Sequence, residues 1–275
     1  MAMQFKPATK RQAKARIALA GPSGSGKTMT ALLLAQAMGT RIALVDTERG
    51  SASKYAGDPG IPAFDVVELE SFSPTEYMAA IEAAEQAGYD VMILDSISHA
   101  WSGKDGILEQ VDVARAKSKS GNAFTDGWRF ASPLHNKFVD RMLASKLHLI
   151  ATMRSHTQYV LDESNGKKTP RKVGMEPVQR KDIEYEFDLM GELDIEHTLV
   201  VTKSRCQALD GQVFSRPGED LGTRIMVWLT DGAPMPELPA TPPPTPQNGA
   251  GATNAPTSAP QSQGQRKRAP ESQRG

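Results

Sequence analysis

Thiols are almost absent from this chain. Cys206 is the single cysteine in 275 residues, which excludes a disulfide framework and points to a reducing compartment such as the cytoplasm. An excess of either charge is also missing, because 32 Lys+Arg balance 32 Asp+Glu. Global charge therefore argues neither for nor against a nucleic-acid partner, and any DNA-binding surface must be local. No apolar run approaches the roughly 18 residues of a membrane-spanning helix, so no membrane partner is expected. Residues 1–14 carry Lys6, Lys10, Arg11 and Lys14 but lack an apolar core of signal-peptide length, and they read as a basic arm. No internal repeat is visible.

Proline is unevenly spread. Ten of the 19 prolines lie from Pro234 onward, among Ala, Gln, Thr, Ser and Gly, ahead of the basic cluster Arg266-Lys267-Arg268. Such a composition cannot bury enough apolar area to offset its ordering entropy, so residues 233–275 are expected to form a disordered tail. Residues 15–232 remain as one domain of ordinary size.

Within that domain apolar strands alternate with helical patterns. The strand candidates are Arg16-Ile17-Ala18-Leu19-Ala20, Arg41-Ile42-Ala43-Leu44-Val45-Asp46, Val91-Met92-Ile93-Leu94-Asp95, Leu147-His148-Leu149-Ile150-Ala151-Thr152 and His197-Thr198-Leu199-Val200-Val201-Thr202. Helices are predicted after residue 28 with a stop at Gly39, and from the capping box Ser73-Pro74-Thr75-Glu76 to Gly88. A third carries Leu134, Phe138 and Met142 on one face. The pattern predicts an α/β fold with a mainly parallel sheet, right-handed crossovers and flanking helices.

Between the first strand and the first helix stands Gly21-Pro22-Ser23-Gly24-Ser25-Gly26-Lys27-Thr28, a full match to G-x-x-x-x-G-K-[ST]. Glycines let backbone N–H groups close around phosphate oxygens, and a helix N-terminus adds partial positive charge. Lys27 is placed to reach the β- and γ-phosphates, and the Thr28 hydroxyl to ligate Mg²⁺. Asp95 ends an apolar strand, where ligands of parallel sheets bind, and can hold Mg²⁺ beside Thr28; it also reads as a turn-capping Asp before Ser96. Glu48, two residues past the second strand, can orient and deprotonate a water facing the γ-phosphate; it also reads as a solvated loop residue paired with Arg49.

Lys203 and Arg205, i and i+2 at a strand end, leave one surface together. They read either as trans-acting fingers for a neighbouring subunit's ATP or as a solvated edge. Thr152, with Arg154, ends the strand after Asp95, where a polar residue can sense the γ-phosphate or simply terminate the strand. Beyond it, Tyr159-Val160-Leu161-Asp162-Glu163 and Lys168-Thr169-Pro170-Arg171-Lys172-Val173 flank a turn containing Asn165-Gly166, a hairpin signal. Lys167, Lys168, Arg171, Lys172, Arg180 and Lys181 make this the most basic stretch of the domain, and Arg115, Lys117 and Lys119 form a second basic loop. Such loops can track a single-stranded phosphate backbone, with Tyr159 or Phe124 for stacking, or can be solvated surface.

Taken in order and spacing, these pieces resemble the RecA-like ATPases. The resemblance rests on the phosphate loop, on Val45-Asp46-Thr47-Glu48-Arg49 followed by Lys54-Tyr55-Ala56, and on residues 91–96 with their Asp-Ser ending. It extends to Ile150-Ala151-Thr152-Met153-Arg154 and Val200-Val201-Thr202-Lys203-Ser204-Arg205. It covers about residues 16–215 and is nearest to the short phage ATPases of this group, some of which anneal single strands. It implies ATP and Mg²⁺ as cofactors, Glu48 as general base, Thr152 as sensor, Lys203 and Arg205 as trans fingers, and the basic hairpin as a DNA loop. The implied partners are single-stranded DNA, further copies of the chain, and single-strand-binding or replication proteins. Three departures stand out: Thr152 replaces the sensor glutamine, no long N-terminal polymerisation helix is evident, and the tail ends basic. A nucleotide-gated scaffold or loader acting on a protein, and a small-molecule kinase, are the competing readings.

Overall fold

The computed structural model describes residues 13–118, 122–164 and 167–231. The tail from 233, most of the arm, Lys119 and the Asn165-Gly166 turn lie outside the described residues. The strands are β1 (Arg16–Gly21), β2 (Ile42–Asp46), β3 (Asp65–Glu68), β4 (Val91–Asp95), β5 (His148–Ser164), β6 (Lys167–Pro177), β7 (Leu189–Leu193), β8 (Thr198–Ser204) and β9 (Val213–Ser215). The helices are α1 (Lys27–Gln36), α2 (Pro74–Gln86), α3 (Ser98–Ser102), α4 (Ile107–Lys117), α5 (Ala123–Leu143) and α6 (Glu219–Asp231). The sheet order is β3-β2-β4-β5-β1-β7-β8-β9, with β6 pairing β5 alone. From β3 to β7 every neighbouring pair is parallel; β8 and β9 add antiparallel strands, and β5–β6 is an antiparallel hairpin. The fold is α/β with a mostly parallel central sheet flanked by helices. No helix among the described residues is long and apolar enough to cross a membrane.

Every residue of β1, β2 and β4 is buried, as continuous apolar runs require when both faces of a parallel sheet are covered. Alternate side chains serve opposite faces. Ile17 and Leu19 join Leu32, Leu34, Ile225 and Leu229 beneath α1 and α6, whereas Ala18 and Ala20 join Tyr77, Ile81, Phe138 and Met142 beneath α2 and α5. Helix α2 begins with Ser73 as N-cap and Pro74 in its first turn, but the Ser73 hydroxyl pairs with Thr75 Oγ1 (2.8 Å) and caps no backbone N–H. Arg115 and Lys117 lie in the last turn of α4 and not in a loop.

Three strands carry weak sequence signals. β3 is an edge with all four residues exposed, so it shows no apolar alternation. β9 has three residues. β7 contains Gly191, where a Cβ would stand 2.5 Å from Leu199 Cδ1, at the point where the β7–β8 register shifts.

The turn from α5 into β5 is gripped from two sides. Buried Arg16 donates to the carbonyls of Leu143 (2.9 and 3.2 Å), Leu147 (2.8 Å) and Ser145. Glu85 accepts from both terminal nitrogens of Arg141 (3.2 and 2.7 Å), from Ser145 Oγ (2.9 Å) and from the Lys146 N–H (2.8 Å). The Arg141 bonds above all, and then those from Lys146 and Ser145, hold the Glu85 carboxyl at about 2 against the opposing effect of burial. A carboxyl depressed in the folded state contributes stability that is complete above its unfolded value near 4.5 and disappears as the pH falls through about 2. Discounted for solvent screening of a group at the surface, Glu85→Gln is therefore expected to lower the unfolding free energy at pH 7 by about 1–2 kcal/mol. In urea titrations the deficit narrows steadily as the pH is taken from 4.5 toward 2.

Candidate functional site

The phosphate-loop segment leaves the end of β1 at the centre of the sheet and turns into α1 at Gly26. This residue caps the helix at φ 85°, a left-handed conformation, and a Cβ there would lie 3.0 Å from His197 Nδ1. Lys27 Nζ donates back to the carbonyls of Gly21 (3.0 Å) and Pro22 (2.8 Å), holding the ammonium across the loop's opening. Burial draws the Lys27 ammonium below its ordinary pKa, against the pull of Asp95 and Glu48. Ser25 is fully buried, and its Oγ has no hydrogen-bond partner among the described residues. Within the loop Pro22 lies behind the opening, and Ser23, Gly24, Gly26, Lys27 and Thr28 line a cleft of about 780 Å³ over it, a size suited to a nucleotide.

Asp95 is 4% exposed at the end of β4. Its Oδ2 accepts from Thr28 Oγ1 (2.6 Å) and its Oδ1 from Thr152 Oγ1. Burial raises its carboxyl above the ordinary value, and the Thr152 and Thr28 hydroxyls act against that rise. A hydroxyl and a carboxylate in contact suit Mg²⁺, a hard cation that takes oxygen ligands and keeps several positions for phosphate and water. Among the described residues no three His, Cys, Asp or Glu side chains gather to hold a metal by themselves. The donor set therefore fits an ion shared with a bound phosphate and not a closed protein cage.

Glu48 is aimed by buried neighbours. Asp46 accepts from the N–H groups of Glu48 (2.6 Å) and Ala52 (2.9 Å) and so shapes the loop after β2. Thr47 ties that loop to the Asp95 turn, donating its N–H to Asp95 O (2.8 Å) and accepting at Oγ1 from the Ser96 N–H (2.9 Å). The Glu48 carboxylate then lines the cleft with Lys27, Thr28 and Asp95. It pairs with Arg154, not Arg49: Arg154 Nε and Nη2 reach Glu48 Oε1 at 3.0 and 2.8 Å.

Two sequence assignments look different in three dimensions. Thr152 is fully buried with its hydroxyl committed to Asp95, and the residues of β5 that line the cleft are Arg154 and Ser155. Lys203 and Arg205 do share a surface, but it is the sheet edge opposite the phosphate loop. Because β8 runs antiparallel, Ser204 pairs with Leu189, and Leu189 with Ile17 near the start of β1. Lys203 Nζ donates to the carbonyls of Glu184 (3.0 Å), Tyr185 (3.0 Å) and Phe187, which occupies all three N–H donors of an ammonium. Arg205 pairs with Asp188 (3.2 Å), yet its side chain remains 57% exposed. Lys203 is thus an anchor for the 184–187 turn, and Arg205 is the more available cation.

Sequence reasoning missed His197 and Arg216. Both line the cleft, both have positive φ (64° and 49°), and the Arg216 N–H donates to His197 O at 2.9 Å. Each sits in a connection far along the chain from the loop, with no local motif to mark it. Lys167, Lys168, Arg171 and Lys172 all fall on β6, and their side chains lie outside the described residues.

Compared with known protein families, residues 13–213 match the AAA domain, which takes in the loop, Asp95, Glu48, Arg154 and most of the sheet. The chain belongs to the AAA domain family. It is accordingly a nucleotide-binding P-loop ATPase. No curated protein matches the chain. The matched span also includes Lys203 and Arg205 at the opposite end of the strands. If Lys203 is an anchor, Lys203→Met leaves three carbonyls short of a donor and is expected to cost about 1–3 kcal/mol in chemical denaturation. Arg205→Ala, at an exposed ion pair, is expected to change stability by under about 1 kcal/mol.

Proposed function

We propose that this AAA-domain protein is a RecA-like, Mg²⁺-dependent ATPase that binds single-stranded DNA and acts in recombination, annealing or repair. The observation that carries the DNA part is continuity. β5 places Thr152 on Asp95 and Arg154 in the cleft, then runs on unbroken to Ser164 as one leg of the β5–β6 hairpin. The other leg opens with the basic run Lys167, Lys168, Arg171 and Lys172. One strand thus joins the nucleotide cleft to the most basic segment of the domain.

In this reading the loop N–H groups and Lys27 bind the triphosphate, and Thr28 and Asp95 would hold Mg²⁺. When bound, that ion would supply positive charge that offsets the charge of the phosphates. Glu48 takes a proton from the attacking water as its oxygen bonds to the γ-phosphorus and the bridging oxygen leaves with ADP. Arg205 lies too far along the sheet to serve its own loop, so its role is to complete the site of a neighbouring copy, with Lys203 supporting the turn beside it. A cleft on one edge and a cation on the opposite edge suit head-to-tail association, a heterologous contact. Single-strand-binding or replication proteins are further partners in this reading.

Hydrolysis measured with and without single-stranded DNA over a range of protein concentrations tests the proposal. Turnover is expected to rise with both, and to fall at least about 100-fold in Glu48→Gln. Arg205→Ala is expected to lose activity and regain part of it on mixing with Glu48→Gln, since each variant then lends the other its intact half-site. Replacing the four hairpin cations by Ala is expected to weaken binding to labelled single strands and to reduce the slope of log affinity against log salt by up to about 3. Absence of salt-dependent DNA binding would replace the recombination reading with a nucleotide-gated scaffold. Phosphate transfer to a small acceptor, with no release to water, would replace it with a kinase.

A further inference from the structure

We infer that His99 is a positioning residue for hydrolysis: its Nδ1 accepts a hydrogen bond from the Thr47 hydroxyl and so fixes the loop that aims Glu48. This rests on Glu48 as the base proposed above and adds what holds that base in place.

His99 lies in the short helix α3, soon after Asp95, and is half-buried. Its ring packs on Phe72, with centroids 4.9 Å apart and planes tilted by 31°. Phe72 is itself tied down, its N–H donating to Lys104 O at 3.0 Å. The ring edge is thereby held against the loop after β2: Nδ1 lies 2.5 Å from Thr47 Oγ1 and 3.4 Å from Ser96 Oγ. Thr47 Oγ1 already accepts from the Ser96 N–H (2.9 Å) and has one proton to donate. Three acceptors are within reach, His99 Nδ1 at 2.5 Å, Asp95 O at 3.1 Å and Ser96 O at 3.5 Å. Asp95 O is engaged by the Thr47 N–H (2.8 Å) and Nδ1 is nearer, so the hydrogen-bond network assigns the proton to the His99 contact. That assignment sets the tautomer, with Nδ1 bare and the ring proton on Nε2.

The charged groups that face the ring are Arg154 on β5 and Glu48 and Asp46 at the end of β2. Burial above all, and then Arg154, draw the imidazole below its ordinary pKa, against the pull of Glu48 and Asp46, so the neutral acceptor is present at pH 7. Protonation acts against the base in two ways. It replaces the acceptor with an N–H donor, which turns the Thr47 hydroxyl away, and it sets a cation near Glu48 that lowers the proton affinity of the carboxylate. Thr47 directly precedes Glu48, so a shift there moves the carboxylate relative to the water it must meet. A misplacement of about 1 Å is enough to cost on the order of 100-fold in rate. The Thr47 N–H keeps its own bond to Asp95 O throughout, so losing the His99 contact disturbs aim and leaves the loop in place.

The test is ATP hydrolysis by the full chain with Mg²⁺ from about pH 5 to 8, alongside equilibrium binding of a non-hydrolysable ATP analogue. His99→Ala is expected to lower kcat about tenfold while the dissociation constant of the analogue stays within about twofold. His99→Asn places an amide oxygen near the position of Nδ1 and does not titrate. It is expected to recover most of the rate and to move the acidic limb, which the unmodified protein shows below about pH 6.5, to lower pH. Thr47→Val is expected to lower kcat as well, and adding His99→Ala to it to cost less than about a further twofold, because the bond is already gone. Three results would each overturn the inference: His99→Asn as impaired as His99→Ala, the same acidic limb with and without the imidazole, or losses that multiply in the double variant. Undiminished hydrolysis in Glu48→Gln would overturn the base assignment instead, and failure of the unmodified protein to bind the analogue would overturn the nucleotide site. Should His99→Ala lose its cooperative melt, His99→Phe keeps a ring on Phe72 without the acceptor and carries the same comparison.

Discussion

A carboxylate taken out of water must be given hydrogen-bond donors, and Asp95 has two from different parts of the chain. Thr28 comes from the first turn of α1 and Thr152 from β5, so the buried oxygens of one side chain lock a helix start to two strands. Removing either partner leaves a buried acceptor short, at a cost of about 1–3 kcal/mol or more for a charged group. The relative placement of the phosphate loop, the β4 edge and the root of the β5–β6 hairpin follows from this one contact. Thr47 and Ser96 extend it by tying the Glu48 loop to the same turn. The groups that serve a nucleotide are thus held by a polar cluster just beneath the cleft, while the apolar layers on either face hold the sheet as a whole.

Much of this was legible in the sequence, for physical reasons that also mark where reading stops. β1, β2 and β4 are covered on both faces, so each is an uninterrupted apolar run, and a carboxylate at the end of such a run stands where a ligand binds. The phosphate loop is local: its glycines, its lysine and the helix it opens lie within a few residues. β3 escaped because an exposed edge imposes no pattern on its side chains, and β9 because three residues with one buried side chain, Phe214, are too few to show one. The direction of β8 escaped because a strand's residues do not encode which way its neighbour runs, and that direction decides which sheet edge receives Lys203 and Arg205. Thr152 and Arg154 are two apart on the strand path, yet one is buried on Asp95 and the other reaches the cleft; sequence alone offers no way to rank them. His197 and Arg216 meet the loop only through the fold.

Edges with unlike contents give the domain a polarity. The nucleotide cleft opens where the parallel strands end, and the 184–188 turn with its cations sits where they begin. The family match spans both ends, and at the second Arg205 is held by Asp188 while staying half-exposed. Association that pairs unlike surfaces propagates, because every added copy presents the same free surface as the last, until geometry closes a ring or leaves a filament.

The long strand β5 has a mechanical side as well. From Arg154 to Ser164 it covers about 30 Å at the ordinary rise of an extended chain, and its pairing with β6 makes it a ribbon, interrupted by one register shift at Gln158/Tyr159. A ribbon anchored at one end is a lever. A tilt of about 10° at the root, the scale of a side chain changing partners, carries the far end through about 5 Å. The Asp95 turn is the fulcrum, and the register shift is the point along the arm where bending is easiest. The length of the ribbon thus magnifies any tilt imposed at its root.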